Sequence, residues 1–271
     1  MSPALLATAA TALGVAVVGP LLNHAVLRWV GWRVVLPAWL GRVPAARELG
    51  RPRAACTRCG IVLAPGRAPA LPALVAGGRC RGCRAPLRRR YLALELVTGV
   101  CFGVTAAVVG WSVSLLPLLA LVAGLVAMCA VDLAVMRIPT RFVYATGASV
   151  AAGFVLAAAV DGPARRLAGA VVGAAAYGGM MLALHLVSPR ALGFGDVRLA
   201  TLVGAAVGWC AWRLDHPVLA PVEGSLRAGL LAGLLGSVAG LALVAVRGRD
   251  RPFPFGPALA VGGAVVALTT V

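Results

Sequence analysis

Lysine is absent from this 271-residue chain, so all 25 of its basic side chains are arginines. No recognition chemistry demands an all-arginine surface, and the bias reads as GC-rich coding rather than as a functional signal. Acids are also scarce, with eight Asp and Glu against those arginines, and charged residues make up only 12% of the chain. An ordinary soluble domain is about a quarter charged, so a single water-soluble globule is excluded. What remains is apolar: 61% of the residues are hydrophobic, and the formal net charge is +17. This is the composition of a polytopic membrane protein.

Apolar runs of roughly the 17–25 residues that a bilayer requires recur about eight times between polar interruptions. They are expected at about 4–27, 91–110, 115–136, 142–160, 167–187, 197–212, 226–246 and 255–271. The expected fold is all-α, with about eight transmembrane helices and a small cytoplasmic cysteine-bearing loop between the first and second. Residues 1–30 would form the first helix, 31–90 the loop module and 91–271 the remaining membrane domain. Arg28 and Arg33 follow the first apolar run rather than precede it. That order suits a retained anchor and not a cleaved signal peptide. Spacings such as Gly169 with Gly173, Gly204 with Gly208, Gly229 with Gly233 and Gly236 with Gly240 are helix-packing signals in a membrane.

Twelve arginines lie between Arg42 and Arg90, with Glu48 the only acid among them. By the positive-inside rule this segment is cytoplasmic. Threading eight spans from it leaves only Arg165, Arg166, Arg213 and Arg227 outside, and both termini are extracytoplasmic. The same segment carries Cys56-Thr-Arg-Cys59 and, after twenty residues, Cys80-Arg-Gly-Cys83. Two such knuckles supply four thiolates for a closed tetrahedral zinc site, which is structural rather than catalytic. Metal binding would supply the folding free energy of a loop that has little core. Aromatics for base stacking are almost absent there and no recognition helix is evident, so nucleic acid is not expected as a partner. Cys101, Cys129 and Cys210 read as small apolar residues, and His24, His185 and His216 show no ligand spacing.

Asp161, Asp215, Glu223 and Asp250 fall in connecting segments, where a solvated charge is the default. Asp132 is different, because it lies inside an apolar run, one to two turns before Arg137. At ~1.5 Å per residue it is roughly 7 Å deep from that arginine, and an intramembrane carboxylate is by default a functional-site hypothesis. Asp196, in Gly193-Phe194-Gly195-Asp196, opens the sixth run on the same side of the membrane. Two carboxylates at one depth would hold one proton between them, the arrangement of an aspartic protease. Gly193 and Gly195 would let a substrate backbone pass close by. The plainer reading pairs Asp132 with Arg137 or Arg141 and makes Asp196 a helix cap. Spacing alone leaves both open.

Further matches run along nearly the whole chain in a fixed order. They are Asn23 and Arg28, the two cysteine pairs, Arg90-Tyr91-Leu-Ala-Leu-Glu95, Asp132 with Ile138-Pro139, Gly193-Phe-Gly195-Asp196-Val-Arg198, and Pro254-Phe255-Gly256-Pro257. In these the sequence resembles the prepilin leader peptidases, membrane aspartic proteases that process type IV pilins and type II secretion pseudopilins. The resemblance implies Asp132 and Asp196 as the catalytic pair, with Gly193, Gly195, Pro139 and Arg198 around them. It implies cleavage after a short basic leader at the inner membrane and, in many members, N-methylation of the new terminus with S-adenosylmethionine. Thr140 replaces the asparagine often found after Ile-Pro, Arg198 stands where lysine is usual, and the residues around Asn23 match loosely. Glu95 would pair with a nearby arginine, order the zinc loop or face the methyl donor. No glycine-rich loop after a strand marks a methyl-donor pocket. A basic leader approaching so basic a protein is repelled unless anionic lipid or a local acid intervenes.

Two rivals have their own expectations. A presenilin-like protease also uses Gly-x-Gly-Asp, but neither the cysteine loop nor the Asp132 to Pro139 segment fits it. A transporter using the two aspartates for ion coupling is expected to show internal symmetry or helices broken near the midplane, and neither is evident.

Overall fold

In the first apolar run Ser2 starts a helix in the ordinary way, its Oγ accepting the Leu5 N–H at 3.3 Å with Pro3 next in the chain. The computed structural model describes residues 2–23, 25–26, 83–84, 89–135, 138–160, 164–189, 192–213, 215–247 and 255–271. Among these the chain is helical with no strand, in two compact units, Met1–Val104 and Thr105–Val271.

In the first unit, α1 (Pro3–Leu13) runs into a π segment (Gly14–Val18) and on to Asn23. It packs on the first part of α2 (Arg89–Val109), where a Cβ on Gly14 would stand 2.7 Å from the Gly99 Cα. Backbones can approach so closely only because both positions lack a side chain. The contact also buries a polar pair, in which Asn23 Nδ2 donates to Glu95 Oε1 at 2.8 Å. Asn23 is thus one partner of Glu95, and most of the arginines that sequence offered for it lie outside the described residues.

The second unit contains the end of α2 and then α3 (Leu115–Val135), α4 (Thr140–Val160), α5 (Arg166–Val187), α6 (Phe194–Ala211), α7 (Leu219–Arg247) and α8 (Gly256–Thr270). Helix α6 is the hub and packs on α4, α5, α7 and α8. Its closest neighbour is α5, where Gly169 and Gly173 meet Gly204 and Gly208 backbone to backbone. The other two small-residue spacings do not behave this way, since a Cβ on Gly233 or Gly240 would meet nothing within 4 Å. Phe154 of α4 stacks on Trp209 of α6 with ring centroids 4.4 Å apart. Many large apolar side chains point outward, among them Leu133, Leu186, Leu230 and Leu241, as a lipid-facing surface requires.

Among the described residues six helices are long and apolar enough to cross a membrane, while Ala93–Val109 and Gly256–Thr270 are shorter apolar helices. The chain is a multi-pass membrane protein whose helices follow the eight expected runs, with two boundaries moved. Helix α6 begins at Phe194 and not Val197, because Asp196 caps the backbone of Gly193 and extends the first turn. Helix α7 begins at Leu219 and not Leu226, so Glu223 lies in a helix and not in a connection. Glu223 and Arg227 pair one turn apart on the surface, and such a pair supports the helix that its charges seemed to interrupt.

Candidate active site

Asp132 lies in the last turn of α3, and only 5% of its surface is exposed. Its Oδ2 accepts the backbone N–H of Gly256 at 3.1 Å. Gly256 opens α8, and the first N–H groups of a helix have no partner within it. A helix start aimed at a carboxylate therefore satisfies both the orphan donor and the buried charge. A side chain is excluded at this position, because a Cβ on Gly256 would stand 2.8 Å from Asp132 Oδ2.

Asp196 is the third residue of α6 and is half-buried, with its Oδ2 accepting the Gly193 N–H at 3.1 Å. Ile138 lies against both Gly195, the neighbour of Asp196, and Gly256, the donor to Asp132. A Cβ on Gly195 would be 3.2 Å from the Ile138 Cβ, and one on Gly256 would be 3.5 Å from the Ile138 Cδ1. Asp132 and Asp196 thereby stand at one end of the helix bundle. Each has one oxygen held by a backbone N–H, and the second has no protein partner among the described residues. Such a pair can hold a water molecule and pass its protons.

Asp196 therefore caps its helix, as the plainer reading expected, while standing at the same end of the bundle as Asp132. The proposed ion pair of Asp132 with Arg141 does not form, and Arg137 lies outside the described residues. Gly195 is occupied in packing on Ile138 rather than open to a passing backbone, whereas Gly193 is exposed. Pro139 is buried, and its carbonyl accepts the N–H groups of Phe142 and Val143 at 2.9 and 3.2 Å, which starts α4. Arg198 turns toward α4, where its Nη1 donates to Thr140 Oγ1 at 2.7 Å.

Two contributors escaped sequence reasoning. Gly256 supplies a main-chain donor, which no side-chain pattern encodes. His185, in the last turn of α5, has its Nδ1 2.7 Å from the Leu192 carbonyl oxygen, so this nitrogen carries the hydrogen. The bond closes the connection that ends at Gly193, and the ring also leans on Phe194, centroids 5.6 Å apart. Of the cysteine module, Cys56, Cys59 and Cys80 lie outside the described residues. Cys83 sits in a turn, and Arg84 after it takes the left-handed φ of 54°.

The bacterial peptidase A24 N-terminal domain matches residues 15–109, and the type IV leader peptidase family matches residues 119–245. The chain is 35% identical over 217 residues to the prepilin leader peptidase/N-methyltransferase of Myxococcus xanthus (strain DK1622), across 79% of this chain and 60% of the relative. It is 34% identical over 231 residues to the protein of the same name from Burkholderia pseudomallei (strain K96243), across 82% and 69%. Against the one from Pseudomonas aeruginosa the identity is 29% over 247 residues, across 88% and 80%. No solved structure matches the chain.

Proposed function

The chain belongs to the type IV leader peptidase family and is an enzyme of it, and on that footing we propose that it cuts the basic leader from type IV prepilins or pseudopilins and then methylates the new N-terminal amine. The arginine-rich segment supports a leader side, with Asp132 and Asp196, at the cytoplasmic face of the inner membrane. The observation that carries the peptidase reading is that Asp132 and Asp196 stand at one end of the bundle, each with one oxygen fixed by a backbone N–H.

The precursor lies with its apolar helix in the bilayer and its scissile peptide between the two carboxylates. One carboxylate takes a proton from water, whose oxygen adds to the carbonyl carbon while the other, protonated, carboxyl donates to the carbonyl oxygen. The tetrahedral centre then collapses, the C–N bond breaks and the departing amine takes up a proton. Gly256 and Gly193 keep the inner oxygens of the pair in place, so that the outer ones stay aimed at the water.

Cys56, Cys59, Cys80 and Cys83 would hold zinc, and a closed set of four thiolates gives it a structural role. The turn at Cys83 with its left-handed successor suits the end of such a knuckle. S-adenosylmethionine would supply the methyl group, and among the described residues no strand and glycine loop forms a cradle for its nucleoside.

Mass spectrometry of a prepilin incubated in lipid with this protein and S-adenosylmethionine tests the proposal at the pilin N-terminus. A shortened and methylated product supports both steps, a shortened unmethylated product removes the second, and an intact precursor with folded enzyme overturns the reading. Two smaller effects follow from the geometry. Gly256→Ala is expected to push Asp132 off its donor and slow cleavage by roughly 10- to 100-fold, the value of about 1.5–3 kcal/mol for a hydrogen bond to a charged group. Wild-type kcat in that variant would remove Gly256 from the site. His185→Leu should lower cleavage several-fold, while His185→Asn, which restores a donor for the Leu192 carbonyl, should recover most of it. Equal losses in both would show that ring packing on Phe194 matters rather than the hydrogen bond.

A further inference from the structure

Arg198 carries a cation that no carboxylate neutralises among the described residues. Its Nη1 donates to Thr140 Oγ1, and no carboxylate pairs with it among the described residues. Asp196, two residues earlier on the same helix, is engaged with the Gly193 N–H instead. The rest of the five N–H donors of this guanidinium meet no protein acceptor among the described residues.

Two rings flank the charged group: its central carbon is 4.7 Å from the Phe194 ring centroid and 5.9 Å from that of Tyr144. Both rings face outward, Phe194 at 47% and Tyr144 at 63% exposure. The N–H edge of a guanidinium is the part that pairs with two oxygens of one anion, and here only Nη1 is taken by a protein acceptor among the described residues. Arg141 is exposed beside Thr140, at the start of α4, and adds a second positive charge with no partner among the described residues.

The position selects the anion. Thr140 and Phe194 begin two membrane-spanning helices, so the cluster stands where the apolar band ends. Aromatic rings favour that level of a bilayer, and phospholipid phosphates lie just outside it. Exposed Leu133 and Leu186, at the ends of α3 and α5, continue the apolar surface on which acyl chains would lie. A freely soluble anion would gain nothing from that surface or from the outward rings.

We propose that Arg198, set between Phe194 and Tyr144 and joined by Arg141, binds the phosphate of an anionic phospholipid beside the aspartate pair. The bound headgroup places negative charge at the one end of the protein where a basic leader has to arrive. Without it, a chain of net charge +17 would repel that leader. This last consequence rests on the proposed substrate, whereas lipid binding does not.

Native mass spectrometry of the full chain, released from detergent with phosphatidylglycerol or phosphatidylcholine added, reads the binding directly. Wild type is expected to retain phosphatidylglycerol in preference, and Arg198→Gln to lose that preference by about tenfold, the factor for about 1.4 kcal/mol. Arg141→Gln, at an exposed position, should lose part of it even if Arg198→Gln fails to fold. Arg165→Gln, at the far end of the bundle, should lose none. Equal retention of both lipids, or unchanged retention in the Arg198 and Arg141 variants, overturns the proposal. Displacement of the lipid by millimolar inorganic phosphate alone would make this a free-phosphate site and overturns it too. A cleavage defect in Arg198→Gln that vanishes when an acidic residue of the prepilin is neutralised, with lipid retention intact, would assign the arginine to the substrate and overturn the lipid assignment.

Discussion

Asp132→Asn and Asp196→Asn are each expected to abolish leader cleavage while leaving the protein folded. The asparagine keeps what the structure uses for architecture, since its amide oxygen can still accept the Gly256 N–H in one case and the Gly193 N–H in the other. What it loses is proton exchange, which contributes roughly 100- to 10,000-fold per group in general acid–base catalysis. In the proposed mechanism the two carboxylates act on one water, so removing both should cost little more than removing either. The measurement is single-turnover cleavage of a prepilin, with the melting temperature in detergent as the control for folding. Retained cleavage in either single variant at a wild-type melting temperature would remove the pair as the catalytic centre. Loss of cleavage together with loss of the folded state would say nothing about chemistry, and for that reason the isosteric amide is preferred to alanine.

Substitutions in the α5–α6 seam are expected to have the largest effect on stability. A Cβ on Gly208 would run into the Gly169 carbonyl, and one on Gly173 into that of Gly204. The obstructing atoms belong to the backbone, so no rotamer change relieves the clash and the helices must separate. Overpacking typically costs about 1–3 kcal/mol and sometimes more. Gly208→Ala should therefore lower the melting temperature clearly and reduce cleavage as well, because α6 carries Asp196 at its start and α5 carries the His185 contact to the same connection. Gly233→Ala gives the opposite sign. A Cβ there meets nothing within 4 Å, and alanine is favoured over glycine in a helix interior by roughly 0.5–1 kcal/mol. Equal behaviour of the two alanine variants would sink the claim that backbone contact at the seam sets stability.

These two cases show where sequence reasoning reaches. Both residues lie in small-x-x-x-small spacings, and the spacing is blind to whether another backbone lies opposite. Gly204 and Gly208 face the glycines of α5, while Gly233 faces open space. Asp132 was legible for the reverse reason: a carboxylate within an apolar run is costly enough to be kept only for a purpose. Asp196 was legible as a motif, yet that its cap on Gly193 leaves it at the same end of the bundle as Asp132 was visible only once Gly193 and Ile138 had been placed.

Sequence by itself determined the membrane character and the helical order, and it singled out the two carboxylates on which the proposed function rests. Each follows from local physics: apolar length against bilayer thickness, and the cost of charge in lipid. It misplaced the start of α7, because Glu223 and Arg227 look like loop charges until their mutual contact along one helix face is seen. Tertiary structure alone decided that Gly256 holds Asp132 across 124 residues of chain, that His185 secures the connection before Gly193, and that Arg198 lies between two exposed rings. The physical reason is the same in all three. A main-chain N–H, a carbonyl oxygen and a ring face are present at almost every position, and only folding determines which of them a given side chain meets.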